Sequence, residues 1–260
     1  MTLTAFTVDN YRAFQTRQHI DLRPHTVFFG YNSSGKSALL RFLPMISTSL
    51  AQPYSPILYN NSLNSRKFFF HDLVNKQSPK PELNYSLDFD TSKTQIDWTI
   101  RQFPDIQKIL VTALNIRFPS DTIDVQWTPE KSNFNQYTVR HNSVEFTQTF
   151  TQFFGLIPET SSESTLSRYF DSIAAKLQNV AVSAYTLTGT RTSIPRWAPL
   201  PETEPDPIQS DGRGVADTLA FSYFTDGKLF AEVSRWFRNN FRYALDIRTS
   251  TLRAQSIYAL

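Results

Sequence analysis

Leu83, Tyr85, Leu87 and Phe89 alternate with polar neighbours in ELNYSLDFD (82–90). A period of two places successive side chains on opposite faces of a strand, so this segment is predicted to be a strand buried on one side. TQIDWTIR (94–101), TIDVQW (122–127), QYTVR (136–140) and SVEF (143–146) repeat the pattern. Residues 82–146 therefore read as an antiparallel meander, with a helix or strand at Ile106 to Ile116. LTAFTV (3–8) and HIDL (19–22) read as two earlier strands, and the apolar run Thr26 to Phe29 as a third. The period then changes. Leu39, Leu40, Leu43 and Ile46 fall at helical spacing between Lys36 and about Leu50, with Pro44 expected to kink or end that helix.

Residues 51–80 are irregular in pattern, with a short helix expected at FFFHDLV (68–74). Ser162 to Asn179 carries an apolar stripe of Leu166, Phe170, Ile173 and Leu177 behind an N-cap in SSES, the signature of an amphipathic helix. VAVSAYTL (180–187) reads as a buried strand. A proline-rich loop with the acidic run PETEPDP fills 189–213. Val215 to Phe224 and Leu229 to Phe241 read as helices, and ALDI as the start of another strand. The chain thus mixes α and β elements in three stretches: 1–50, strand–turn–strand and a loop–helix unit; 51–160, an irregular segment and antiparallel strands; 161–260, helix, strand, loop and helices.

Composition narrows the classes. Of 260 residues, 40% are hydrophobic and 14% aromatic, enough to build a core in one large domain or two modest ones. A net charge of +3 does not argue for a general nucleic-acid coat and leaves a local basic patch open. The absence of cysteine excludes disulfides, thiolate metal sites and cysteine nucleophiles, and fits a reducing compartment. MTLTAFTVDNYRAF has no basic n-region, and no apolar run approaches the roughly 20 residues of a membrane span, so a cytoplasmic location is expected. His19, His25, His71 and His141 show no metal-ligand or triad spacing.

Glycine is scarce, 7 in the chain, yet two of the seven stand five residues apart at Gly30 and Gly35. Gly30-Tyr31-Asn32-Ser33-Ser34-Gly35-Lys36-Ser37 fits G-x-x-x-x-G-K-[ST] at every fixed position, with an apolar run before and a helical pattern after. The glycines let backbone N–H groups turn inward around a phosphate, and the following helix presents its positive end. In that pattern Lys36 reaches the β and γ phosphates and Ser37 binds Mg²⁺ through its hydroxyl. The candidate nucleotide-binding residues are Gly30, Asn32, Ser33, Ser34, Gly35, Lys36 and Ser37, with ATP and Mg²⁺ as cofactors. The competing account is a glycine-bearing strand–helix turn with an exposed lysine. By average residue frequencies a chain of this length meets the pattern by accident in roughly one case in a hundred.

The opening block, FTVDNYRAF, then HIDLRP, then TVFFGYNSSGKSALLRFLPMI, resembles the start of P-loop ATPases of the ABC class in the SMC, Rad50, RecF and OLD group. There a first strand runs into an N-F-R-S-F-like turn, a second strand follows, and a G-x-N-x-S-G-K-S loop closes a third. Asn10 to Phe14 occupy the turn, and Asn32 and Ser34 the class-specific loop positions. AYTLTGTRTSIPRW (184–197) and SDGRGVADTLAF (210–221) resemble, less closely, segments of OLD-like and DUF3696-related AAA-type ATPases; Thr188 and Thr190 depart from that pattern and Gly189 and Arg191 keep it. The resemblance implies the N-terminal lobe of an ABC-type P-loop NTPase with the antiparallel meander as an inserted sheet. It implies that Arg12 contacts the phosphates, against the alternative of a surface loop arginine. Arg191 and Arg213 would face a phosphate or a partner subunit, against the alternative of solvated arginines beside prolines.

ATP hydrolysis in this class also needs an apolar strand ending in Asp-Glu, a glycine-containing signature segment and usually a switch histidine. Neither LFAEV nor YALDI supplies the first. The resemblance places these parts after IRTSTLRAQSIYAL, so the expectation is an N-terminal portion whose C-terminal lobe lies outside this chain. Hydrolysis is then expected only when a C-terminal half or partner supplies them. The implied role is ATP binding within an ATPase of DNA repair and maintenance or anti-phage defence. Its implied partners are a homo- or hetero-oligomer through the nucleotide interface, a nuclease or other effector, and nucleic acid. The alternative is a non-hydrolysing, nucleotide-dependent switch or interaction subunit. A GTPase is disfavoured because Asn75-Lys76-Gln77-Ser78 lacks the aspartate of N-K-x-D, and a small-molecule kinase because of the long meander.

Overall fold

The computed structural model describes residues 2–50, 56–57, 69–89, 93–128, 136–142, 144–149, 153–154, 156–158, 166–183, 186–189, 191–193, 198–252 and 255–259. They fall into two compact units, Met1–Ala184 and Tyr185–Leu260.

The first unit is built on an antiparallel sheet. Its strands are β1 (Leu3–Asp9), β2 (Gln18–Asp21), β3 (Glu82–Phe89), β4 (Thr94–Phe103), β5 (Lys108–Arg117), β6 (Thr122–Trp127), β7 (Gln136–His141) and β8 (Val144–Thr149). They lie in the order β2-β1-β3-β4-β5-β6-β7-β8. The inserted meander therefore continues directly from the N-terminal strands, with β1 paired to β3 from Leu3↔Phe89 to Asp9↔Asn84. The alternation read along the chain sets the two faces. Leu83, Leu87, Ile96, Trp98, Ile100, Leu114, Ile116, Ile123, Val125 and Val139 are buried. The intervening positions carry a polar network in which Arg117 donates to Gln95, Asn115 and Asp97. Two irregularities interrupt the ladder, one between Leu3 and Ala5 in the β1–β3 pairing and one where pairing passes from Thr99↔Ala113 to Ile100↔Val111.

Helices α1 (Lys36–Leu50) and α2 (Ser167–Ser183) share the core with that apolar face. Ala38, Phe42, Met45, Ile46 and Leu50 of α1 recur at helical spacing and are buried. Phe42 stacks on Phe6 at 5.1 Å and meets Tyr85 edge-on at 5.4 Å. This packing carries α1 through Pro44, so the helix does not end there. The proline forfeits one backbone bond, and burial of Phe42, Met45 and Ile46 on either side offsets it.

Three expectations are corrected. Thr26 to Phe29 forms no strand, and Val27 and Phe29 are 78% and 90% exposed. An apolar run becomes a strand only with a ladder partner, and both edges of β1 are taken by β2 and β3. The described residues of 180–187 form no strand either: α2 continues to Ser183, and 186–189 is irregular. The strand expected at ALDI begins instead at Arg248. Ile106 to Ile116 resolves mainly as β5 after a 3-10 turn at Pro104–Ile106, and FFFHDLV contributes a single 3-10 turn, Phe70–Asp72. The SSES cap lies outside the described residues. The short strands β9 (Phe153–Phe154) and β10 (Ile157–Pro158) pair with each other beside α2.

The second unit holds β11 (Ala198–Pro199), α3 (Val215–Phe224), α4 (Lys228–Phe241), β12 (Arg248–Leu252) and β13 (Gln255–Ala259). The three strands form an antiparallel sheet in the order β11-β13-β12. Both helices start behind a glycine in the left-handed region, Gly214 at φ 86° and Gly227 at φ 68°. No helix among the described residues is long and apolar enough to cross a membrane.

Candidate functional site: a phosphate cradle

The loop Gly30 to Gly35 connects the exposed run 26–29 to the first turn of α1. Three of its residues have positive φ: Gly30 at 149°, Ser33 at 65° and Gly35 at 93°. These turns fold the loop back on itself, and Ser34 N–H donates to the Tyr31 carbonyl at 3.3 Å. Ala38 and Leu39 N–H both donate to the Gly35 carbonyl, at 2.9 and 3.1 Å, closing the first helical turn. A helix leaves its leading N–H groups without acceptors inside the helix, so the start of α1 presents donors and a positive dipole end toward the loop. No acidic residue stands in that first turn. Asn32, Ser33, Ser34 and Ser37 are exposed, and Gly35 and Lys36 half-buried.

Lys36 curls over the loop. Its Nζ donates to the carbonyls of Gly30 and Tyr31 at 2.8 and 2.5 Å. The ammonium is thus held against the start of the loop.

A second layer supports the cradle. The turn Asn10 to Phe14 holds Asn10 and Arg12 at φ 55° and 49°, and Tyr11 and Phe14 exchange both backbone hydrogen bonds at 2.8 Å. The Tyr11 hydroxyl donates to the Ala38 carbonyl at 3.1 Å, tying the turn to α1. The tip of the Phe14 ring covers Gly35: a Cβ at that glycine would stand 2.9 Å from Cε2 and closer still to Cζ. Behind the turn, Arg12 N–H donates to the Leu73 carbonyl at 2.7 Å, and the Asn75 side chain donates to the Arg12 carbonyl at 2.6 Å.

Arg12 lies on this supporting turn, half-buried, its guanidinium 5.8 Å from the Tyr11 ring centroid. The supporting roles of Tyr11, Phe14 and Asn75 were not assigned from sequence. In the sequence Asn10 to Phe14 stands out as a motif whose arginine alone has an implied task. In the second unit the two weaker motif segments come together, through Thr188 N–H to the Ser210 carbonyl and Thr192 N–H to the Asp211 carbonyl, both 2.9 Å. Arg213 is engaged there with Asp211 at 2.8 Å, and the Arg213 backbone N–H, with its side chain, holds that carboxyl below its ordinary range. Arg191 is exposed.

Three of the four histidines engage neighbouring side chains. His19 meets Thr7 Oγ1 at 3.0 Å and Asp21 at 3.4 Å, His71 stacks on Phe69, and His141 lies 3.5 Å from Asp121. Among the described residues no group of three histidine, aspartate or glutamate side chains could hold a metal ion.

A two-layer α/β unit carrying a glycine-flanked loop, a lysine and a helix N-terminus defines a protein of the phosphate-binding-loop type. The chain belongs to the AAA ATPase domain family, whose model matches residues 1–194. That span contains the loop, its supporting turn, the whole sheet and both helices of the first unit. No curated protein matches the chain. Membership of the family carries nucleotide binding, with ATP and Mg²⁺ as the ligands that the residues at 30–37 fit: backbone and lysine donors for the phosphates, and a serine hydroxyl for a hard cation.

Proposed function

We propose that the chain binds MgATP in the cradle Gly30 to Ser37, as part of an ATPase of ABC type in the Rad50, RecF and OLD-like branch. Its working context is DNA repair and maintenance or anti-phage defence, where an ATP-dependent oligomer couples to a nuclease or other effector. The observation that carries the nucleotide reading is the geometry of the loop, with positive φ at Gly30, Ser33 and Gly35 directly ahead of Lys36 on a helix N-terminus. The NYRAF turn and Asn32 and Ser34 support the branch by resemblance.

In this reading the backbone donors around Gly35 hold the β phosphate, and Lys36 exchanges its loop carbonyls for a phosphate oxygen. Ser37 supplies its hydroxyl to Mg²⁺, and Arg12 reaches the phosphates from the supporting turn. The bound metal neutralises phosphate charge, and the chain's own residues orient the nucleotide. Titration calorimetry with MgATP and MgADP tests this. Wild type binds, and Lys36→Ala weakens binding by roughly tenfold to a hundredfold, the worth of one charge-assisted hydrogen bond. If neither nucleotide binds and Lys36→Ala changes nothing, the reading fails. Turnover by the chain alone distinguishes an ATPase from a non-hydrolysing switch.

A further inference from the structure

Asn10 and Arg12 both hold the left-handed backbone conformation, at φ 55° and 49°. Asparagine visits that region readily, whereas arginine seldom does. A non-glycine residue persists there when its surroundings hold it, and such positions gather at ligand clamps. Here the hold comes from far along the chain. Arg12 N–H donates to the Leu73 carbonyl at 2.7 Å, and the Arg12 carbonyl accepts from Asn75 Nδ2 at 2.6 Å, a residue 63 positions away. Asn75 N–H donates to the Asn10 carbonyl at 3.2 Å, and Tyr11 bridges to Val74 between them. Both backbone polar groups of Arg12 are thus engaged by the single segment Leu73 to Asn75.

That segment is anchored on its own account. Phe70, Leu73 and Val74 belong to the main core. Asn75 is 8% exposed; its Oδ1 accepts from Gln77 N–H at 2.9 Å and its carbonyl from Ser78 N–H at 3.1 Å. With the oxygen of the amide committed to Gln77, the nitrogen is left to face the Arg12 carbonyl. The stretch Asn75 to Ser78, which lacks the aspartate of a guanine reader, thereby has another task. On its opposite side the turn touches the cradle, through the Tyr11 hydroxyl on the Ala38 carbonyl at 3.1 Å and the Phe14 ring over Gly35. Arg12 stands between these two contacts in the chain.

We propose that Asn75 is a positioning residue for the nucleotide: it holds the Arg12 backbone in the left-handed turn that directs the guanidinium to the phosphates. This rests on the reading that Arg12 reaches the phosphates of MgATP. The backbone angle sets the direction in which the Cα–Cβ bond leaves the chain, so releasing Arg12 from that region re-aims its side chain. Asn75 does not touch the nucleotide. It limits the directions open to a long side chain before the ligand arrives, so less freedom is lost on binding.

Titration calorimetry with MgATP tests it, on wild type, Asn75→Ala, Arg12→Ala and the double variant. Arg12→Ala is expected to weaken binding roughly tenfold, and Asn75→Ala about threefold to tenfold. In the Arg12→Ala background, Asn75→Ala should change the affinity by less than about twofold, because two residues that act through one group do not add. Asn75→Ser separates this task from a purely structural one. Serine can still take the Gln77 N–H in a local turn but is too short to reach the Arg12 carbonyl. Its melting temperature should return toward wild type while its MgATP affinity stays with that of Asn75→Ala. If Asn75→Ala does not fold, the serine variant carries the cycle. The proposal is overturned if the Asn75 variants bind as wild type does, if Asn75→Ala weakens binding as much without Arg12 as with it, or if serine restores affinity together with stability. A wild type that binds MgATP and loses it in Lys36→Ala, yet is indifferent to Arg12→Ala, keeps the cradle and overturns the positioning role. A wild type that binds no MgATP overturns the cradle reading and this proposal with it.

Discussion

Gly35→Ala places a methyl group where the Phe14 ring already stands. Two effects add. An L residue at φ 93° is strained, at about 1–2 kcal/mol for the left-handed half of the map. The new Cβ would sit 2.9 and 3.2 Å from Cε2 and Cε1 and closer to Cζ, so the ring tip must retreat. Phe14 packs against the main core and is not free to swing into solvent. Overpacking of this kind costs about 1–3 kcal/mol. The total, roughly 2–5 kcal/mol, is a large part of the 5–15 kcal/mol that usually separates folded from unfolded chains. The two parts can be separated by a double-mutant cycle with Phe14→Ala in urea unfolding. Removing the ring abolishes the clash and leaves the backbone strain, so the coupling energy should be about 1–3 kcal/mol. The conservative change Phe14→Tyr should also disturb the loop, because its hydroxyl grows from Cζ, the ring atom nearest Gly35. Additivity within about 0.5 kcal/mol would refute the reasoning, since it would mean that ring and loop do not touch.

Other outcomes follow from buried polar groups and from the cradle. Among the described residues the buried Tyr85 hydroxyl has no hydrogen-bond partner, and burial holds its pKa well above the ordinary tyrosine value. Tyr85→Phe should stabilise the fold by about 1–2 kcal/mol and raise the thermal midpoint; a lower midpoint would show that the hydroxyl is satisfied. Lys176 is 8% exposed, donates to Thr94 Oγ1 at 3.1 Å, and has its pKa lowered by burial. The native state therefore releases that proton more readily than the unfolded chain, so stability rises as pH climbs from the lowered native pKa to the unfolded value near 10.4. Lys176→Met should flatten this alkaline rise in thermal melts; an unchanged slope would assign it to other groups. Lys36→Ala should leave the melting temperature nearly unchanged, since its two loop hydrogen bonds are exposed, while abolishing the shift that MgATP gives wild type.

Much of the sheet was legible because one of its faces is buried and the other is not. β6 was placed at Thr122–Trp127 by its alternation, and α3 was read at Val215–Phe224. The loop 30–37 was legible because its chemistry demands glycine and lysine at fixed spacing. What failed was whatever depended on a distant partner. Val27, Phe28 and Phe29 read as a strand, yet strand formation is decided by which edges are open. The run 180–183 is apolar without a clear period, and an apolar run of that length fits a helix end as well as a strand. Phe14 was hidden for a related reason. Its task is to cover a glycine twenty-one positions along the chain, and no local pattern records such a contact.

The pairing of β1 with β3 sets a timetable for synthesis. Val8 meets Tyr85, so the strand beneath the cradle gains its central neighbour only after roughly 80 residues have been added, about 4–16 s at ordinary elongation rates. Until then Phe6 has no β3 beside it, and Phe42 and Ile46 of α1 lack the sheet face they later cover. The phosphate loop is therefore made early but shaped late. During that interval the nascent chain shows an open strand edge and an unburied helix face, the features that attract chaperones and invite mispairing. Substitutions that weaken β3 should accordingly lower the yield of soluble protein more than their effect on equilibrium stability would predict.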